Sequence, residues 1–270
     1  MSSTKLFSSR SRMAALLAAG ASTFVLPASV AAAQPPTVPA PPAVPAPARP
    51  MEPANLPAPK MADGKIQPRF QEMHESFMKR RTAGPIGVLF LGDSITQGWS
   101  GQGKATWESR YTKYSPANFG IGGDRTQHVL WRIQQGELDG IDPKVVVLMI
   151  GTNNSGYSAP AIARANFEIV SEIHRKLPNA KLLLLAIFPR GADPNQRNVA
   201  ALRAKLKSVN AAMARLDDGK KTRYLEIWDQ FLQPDGVLSK EIMPDALHPN
   251  AKGYEIWADS MQPLLDEMMK

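Results

Sequence analysis

Three apolar runs, Ile86–Leu91, Val145–Ile150 and Leu182–Ile187, constrain the fold of this chain more than any other feature. Each is short, rich in leucine and β-branched residues, and apolar at nearly every position. A strand with one wet face alternates. A run without alternation reads as a strand covered on both faces, as in a parallel sheet between helical layers. The intervals between the runs are long and carry helical spacing. Ile66, Phe70, Met73 and Phe77 predict a helix over Ile66–Arg81. Further helices are expected over Arg125–Gln135, Ala159–Leu177, Asn195–Leu216 and Asn250–Met269, and short strands around Asn118 and Arg223–Glu226. Strand alternating with helix predicts an α/β domain, here over residues 61–270.

The 60 residues before it have a different character. Lys5, Arg10 and Arg12 precede the apolar run Met13–Val30 and then Ala31-Ala32-Ala33. This order predicts a secretory signal peptide, residues 1–33, and hence a periplasmic, cell-surface or extracellular protein. Gly20, Ser22, Thr23 and Pro27 interrupt the run, so no transmembrane span is expected in the mature chain. Residues 34–60 hold 11 of the 24 prolines. Such a stretch cannot build a packed core and predicts an extended Pro/Ala-rich linker.

Composition removes several functions. With no cysteine there is no thiolate nucleophile, disulfide framework or Cys-ligated metal, and His74, His128, His174 and His248 are the only histidines. The net charge of +8 invites a nucleic-acid reading, but residues 1–60 account for +4 of it. The other 210 residues hold 27 basic and 23 acidic side chains with no dense basic stripe interleaved with aromatics, so no nucleic-acid partner is expected. Lys79-Arg80-Arg81 reads as the C-terminal turn of a helix.

In parallel sheets ligand chemistry gathers just beyond the C-terminal ends of the strands. There the chain carries Gly92-Asp93-Ser94, Gly120-Ile121-Gly122-Gly123-Asp124 and Gly151-Thr152-Asn153-Asn154, and near its end Asp245-Ala246-Leu247-His248. Alone, each is an ordinary turn, cap or loop hydrogen bond. Together they meet the needs of acyl transfer. A serine hydroxyl needs a base, an imidazole needs a carboxylate to orient it, and a developing oxyanion needs N–H donors. Three-residue spacing lets Asp245 and His248 meet within one turn of chain.

These four blocks, in this order, resemble those of SGNH/GDSL hydrolases. The likeness extends to the catalytic subunits of intracellular platelet-activating factor acetylhydrolases through Asn118–Asp124, His128–Arg132, Gly136–Leu138, Gly151–Asn154, Pro189–Gly191 and Asp235-Gly236, within residues 85–257. The export signal departs from those subunits and is shared with secreted carbohydrate acetyl esterases. The resemblance implies a flavodoxin-like three-layer α/β/α sandwich with a mostly parallel five-stranded sheet. It implies Ser94, Asp245 and His248 as catalytic residues, with Ser94, Gly123 and Asn153 forming the oxyanion hole. It also implies no cofactor, no metal, a small-molecule or carbohydrate ester as substrate, and a homodimer. Two alternatives stand beside an acetyl esterase: a lysophospholipase or thioesterase for longer acyl chains, and a non-catalytic glycan-binding surface protein.

Other motifs fail on inspection. Gly98–Ala105 nearly matches a phosphate-binding loop, but Ala105 stands where a hydroxyl would hold magnesium; it reads as a flexible loop by the site. Arg125 replaces the third glycine of a dinucleotide fingerprint that would begin at Gly120. His74-Glu75 has no second histidine one turn on. Thr96 breaks the G-x-S-x-G elbow around Ser94. His128 and Trp131 are expected to pack on their helix, and Trp99 and Tyr157 to line the substrate pocket.

Overall fold

The computed structural model describes residues 53–270; the expected signal peptide and most of the expected linker lie outside the described residues. A two-rung hairpin pairing Met61–Ala62 with Lys65–Ile66 leads into α1 (Pro68–Arg80), whose proline sits at its start, where no N–H partner is lost. Next come β1 (Val88–Gly92), α2 (Ser94–Gln97), α3 (Lys104–Arg110), β2 (Pro116–Gly120), α4 (Thr126–Arg132) and β3 (Val145–Met149). The chain closes with α5 (Ala159–Lys176), β4 (Lys181–Leu185), α6 (Arg197–Met213), β5 (Thr222–Leu225) and α7 (Ala251–Met268).

The five strands form one parallel sheet in the order β2-β1-β3-β4-β5. Successive strand side chains alternate between its faces. Leu89, Leu91, Val146, Leu148, Leu182 and Leu184 meet α1, α4, α5 and α6 through Phe77, Val129, Ile169 and Leu206. Val88, Phe90, Val147, Met149, Leu183 and Leu185 meet α2, the residue that caps α3, and α7 through Ile95, Tyr111, Trp257 and Met261. Around β1, β3 and β4 both faces are dry, which is why those strand sequences lack alternation. The result is the expected three-layer α/β/α sandwich. The chain's path reverses across the sheet between β1 and β3, so their carboxyl ends open the crevice where such folds bind ligands.

The packed body begins before Met61. Ala54 is buried, its carbonyl accepts from Thr126 Oγ1 at 2.8 Å, and Ala58 N–H donates to Gln127 O at 3.2 Å. Residues 53–60, Pro/Ala-rich like the rest of the linker, therefore run as an arm over the start of α4. Proline-rich composition stops a segment from building its own core, but leaves its carbonyls free to dock on another. Among the described residues no helix is long and apolar enough to cross a membrane.

Candidate active site

Ser94 opens α2 directly after β1. Asp93 caps that helix by accepting Ile95 N–H at 3.0 Å, and the cap turns the chain so that Ser94 stands at the sheet's carboxyl edge. The turn passes close over β2. A Cβ on Gly120 would lie 2.2 Å from Gln97 N, so no larger residue fits there. Asp93 is buried, and desolvation pushes its carboxyl up to about 7 despite the Ile95 hydrogen bond.

Ser94 Oγ lies 2.9 Å from His248 Nε2, and His248 Nδ1 lies 2.6 Å from Asp245 Oδ2. An ionised carboxylate can only accept, so Nδ1 carries the ring proton and Nε2 is left to accept from the serine hydroxyl. The Asp245–His248 turn is built for this. Asp245 Oδ1 accepts the backbone N–H of His248 at 2.7 Å and of Leu247 at 3.1 Å, and Ala246 takes a left-handed φ of 58°. Partial burial works to raise the Asp245 carboxyl, but the side-chain and backbone hydrogen bonds from His248 together hold it below the usual carboxylate range. α7, which begins just after His248, is tied to α2 by Tyr254 OH donating to Ile95 O at 2.6 Å.

The loop after β2 faces the serine. A Cβ on Gly122 would stand 4.0 Å from Ser94 Cβ. Gly123 adopts a φ of 73°, a region glycine enters without strain. Asn153, in the turn that follows β3, donates from Nδ2 to Asp124 O at 2.9 Å, and its amide has a second N–H besides that one. Asn154 turns away into the core, where its side chain accepts Thr126 N–H and donates to Thr126 Oγ1 and Gln127 Oε1. Ser94, Asp245 and His248 thus form one hydrogen-bonded relay, and the loop that carries Gly122 and Gly123, to which Asn153 is bonded, stands beside Ser94.

Trp99 and Tyr157, expected at the substrate pocket, are both buried. Trp99 is fully buried in an aromatic cluster, with ring centroids 4.6 Å from Tyr254 and 4.9 Å from Trp257. Tyr157 is buried in the opposite layer, its hydroxyl accepting from Gln127 Nε2 at 3.0 Å. Both rings are drawn inward by the apolar area they bury. Within the segment Gly98–Ala105, Trp99 and Gly103 are packed while residues 100–102 are exposed; a Cβ on Gly103 would strike the rings of Trp99 and Tyr254.

A buried charge network under the site has no counterpart in the sequence reading. Arg132 is fully buried and pairs with Asp124 (Nε to Oδ2, 3.0 Å) and with Glu137. It also donates to Gly92 O at 3.3 Å and Phe119 O at 3.1 Å, carbonyls at the ends of β1 and β2. Glu137 continues to His74 Nδ1 at 2.7 Å. Burial works against the Arg132 charge, and Glu137 and Asp124 more than offset it. The available signal was an arginine on the apolar face of a helix, three residues after Val129. His128 lies beside this network; burial pushes its ring down to about 3, and its Nδ1 accepts Arg125 N–H at 3.1 Å. Among the described residues no group of three His, Asp or Glu side chains is arranged to hold a metal ion.

Residues 90–256 match the model of the GDSL-like lipase/acylhydrolase family. The chain is 34% identical over 214 residues to the human platelet-activating factor acetylhydrolase IB subunit alpha1, covering 79% of this chain and 89% of that one. It is also 34% identical to the mouse alpha2 subunit, over 75% of this chain and 86% of that one. A GDSL-like lipase from Bacteroides thetaiotaomicron shares the fold with a TM-score of 0.59 at 19% identity, over 72% of this chain and 97% of that one. An acetyl-xylooligosaccharide esterase from Geobacillus does so with a TM-score of 0.50 at 16% identity, over 68% of this chain and 95% of that one.

Proposed function

This chain belongs to the GDSL-like lipase/acylhydrolase family and is a carboxylic ester hydrolase, and on that premise we propose that it removes small acyl groups, acetyl above all, with Ser94 as nucleophile. The observation that carries the reading is the relay from Ser94 Oγ to His248 Nε2 (2.9 Å) and from His248 Nδ1 to Asp245 Oδ2 (2.6 Å). His248 takes the serine proton as Oγ attacks the ester carbonyl. The oxyanion is met by the N–H groups of Ser94 and Gly123 and by the free amide hydrogen of Asn153. Ser94 N–H stands at the first turn of a helix, where no intrahelical acceptor is available to it. His248 then protonates the departing alkoxide, and water, activated by the same ring, cleaves the acyl-serine to give carboxylic acid and free enzyme.

Acetyl is favoured because relatives of both kinds are named for it, the platelet-activating factor acetylhydrolase subunits and the acetyl-xylooligosaccharide esterase. A carbohydrate or other small O-acetylated alcohol fits the export expected from Lys5–Ala33 and the Pro/Ala-rich tether after it. A panel of p-nitrophenyl esters, with acetylated xylan and acetylated monosaccharides, tests the reading. Acetate should exceed octanoate and dodecanoate in kcat/KM by roughly tenfold or more, since a short pocket discriminates strongly against added methylenes. A preference for dodecanoate would replace it with a long-chain lipase or thioesterase.

A further inference from the structure

The oxyanion loop has a weakness that its glycines create. Gly122 and Gly123 flank one peptide unit, and with no Cβ on either side that unit turns over at little steric cost. A peptide is planar and trans, so the Gly122 carbonyl and the Gly123 N–H point in opposite directions from one rigid plate. Whatever fixes the carbonyl therefore fixes the direction of the N–H.

Lys60 fixes it. Its ammonium donates to Gly122 O at 2.6 Å and pairs with Asp124 Oδ1 at 2.8 Å, so it clamps the loop on both sides of Gly123. The ammonium is largely buried, with 13% of the side chain exposed, and lies 5.5 Å from the Phe70 ring centroid. A Cβ on Gly123 would come within 3.7 Å of it. The other contacts of the loop hold different atoms. Gln97 Oε1 accepts Gly122 N–H at 2.9 Å, Asn153 donates to Asp124 O, and Arg132 holds Asp124 Oδ2. Lys60 reaches this position at the end of the docked arm 53–60, where its own carbonyl accepts Gln67 N–H at 2.8 Å.

We propose that Lys60 is a positioning residue for ester hydrolysis, the lock that holds the Gly122–Gly123 peptide with its N–H toward the oxyanion, delivered by the arm preceding the catalytic domain. This rests on the reading of Gly123 as an oxyanion donor. The Lys60 charge adds a favourable field at the loop that carries the Gly123 N–H. A lock on a transition-state donor affects kcat, whereas a substrate contact affects KM.

The test is steady-state hydrolysis of p-nitrophenyl acetate by the full chain carrying Lys60→Met, Lys60→Gln or Lys60→Arg, with Ser94→Ala in parallel and melting temperatures for all. Lys60→Met should lower kcat by roughly tenfold or more with KM within about threefold, because the donor it orients is worth about 10²–10³ in rate. Lys60→Arg, which keeps the charge and the donor, should recover most of that loss. If Lys60→Met does not fold, Lys60→Gln decides by the same criterion. A kcat within twofold of the parent, or a rise in KM alone, overturns the proposal even where the melting temperature falls. Retained activity in Ser94→Ala would instead remove the reading of the site on which it rests.

Discussion

Ser94→Ala and His248→Ala should each lower kcat for p-nitrophenyl acetate by about 10⁴-fold or more, with little change in melting temperature. The size follows from what each group supplies. On the proposed mechanism, no acyl-enzyme forms without Oγ. Without the imidazole, the hydroxyl keeps its proton and the leaving alkoxide receives none. The stability expectation follows from exposure. Ser94 is only half-buried, the His248 side chain is 41% exposed, and neither belongs to the apolar clusters on the two faces of the sheet. The double variant should lose no more than the single ones, because the two side chains act as one unit joined by the 2.9 Å contact. Steady-state rates for the three proteins at one pH, with circular dichroism to establish folding, check this. An additive loss would mean that the two residues act in separate steps.

The largest expected effect on stability lies elsewhere. Arg132→Met should destabilise the fold by about 3–5 kcal/mol in urea unfolding at neutral pH, the range for breaking a buried ion pair on one side. Methionine fills much of the volume but leaves Asp124 without one of its two cations and Glu137 with only His74 beside it. The Gly92 and Phe119 carbonyls lose their buried donor as well. A loss below about 1 kcal/mol would place Arg132 with surface pairs, contrary to its complete burial. Since Asp124 follows Gly123, activity at temperatures well below the transition should fall too.

The centre of the sheet was legible because β1, β3 and β4 are buried on both faces. Val145–Met149 and the leucines of Lys181–Leu185 can hardly be anything else. The relay was legible for a related reason: its residues sit directly after strand ends or within one turn of each other, so local spacing carries the geometry. What sequence could not reveal depends on partners far away. Lys60 reads as the last residue of a proline-rich spacer until it is seen 2.6 Å from a carbonyl 62 residues on. Arg132 reads as an ordinary helical arginine until both of its acids are found buried with it. Trp99 follows Ser94 closely in sequence, but only the structure shows its ring packed with Tyr111, Tyr254 and Trp257. In each case a tertiary partner overrides the local reading.

Covalent labelling reaches the proposed nucleophile, Ser94, directly. The folded protein, incubated with a fluorophosphonate ester and analysed by peptide mass spectrometry, should carry one phosphonyl group, on the peptide containing Ser94. Labelling should be absent in Ser94→Ala and much slower in His248→Ala. A folded protein that hydrolyses esters yet takes no label, or takes it at another residue, would contradict the account.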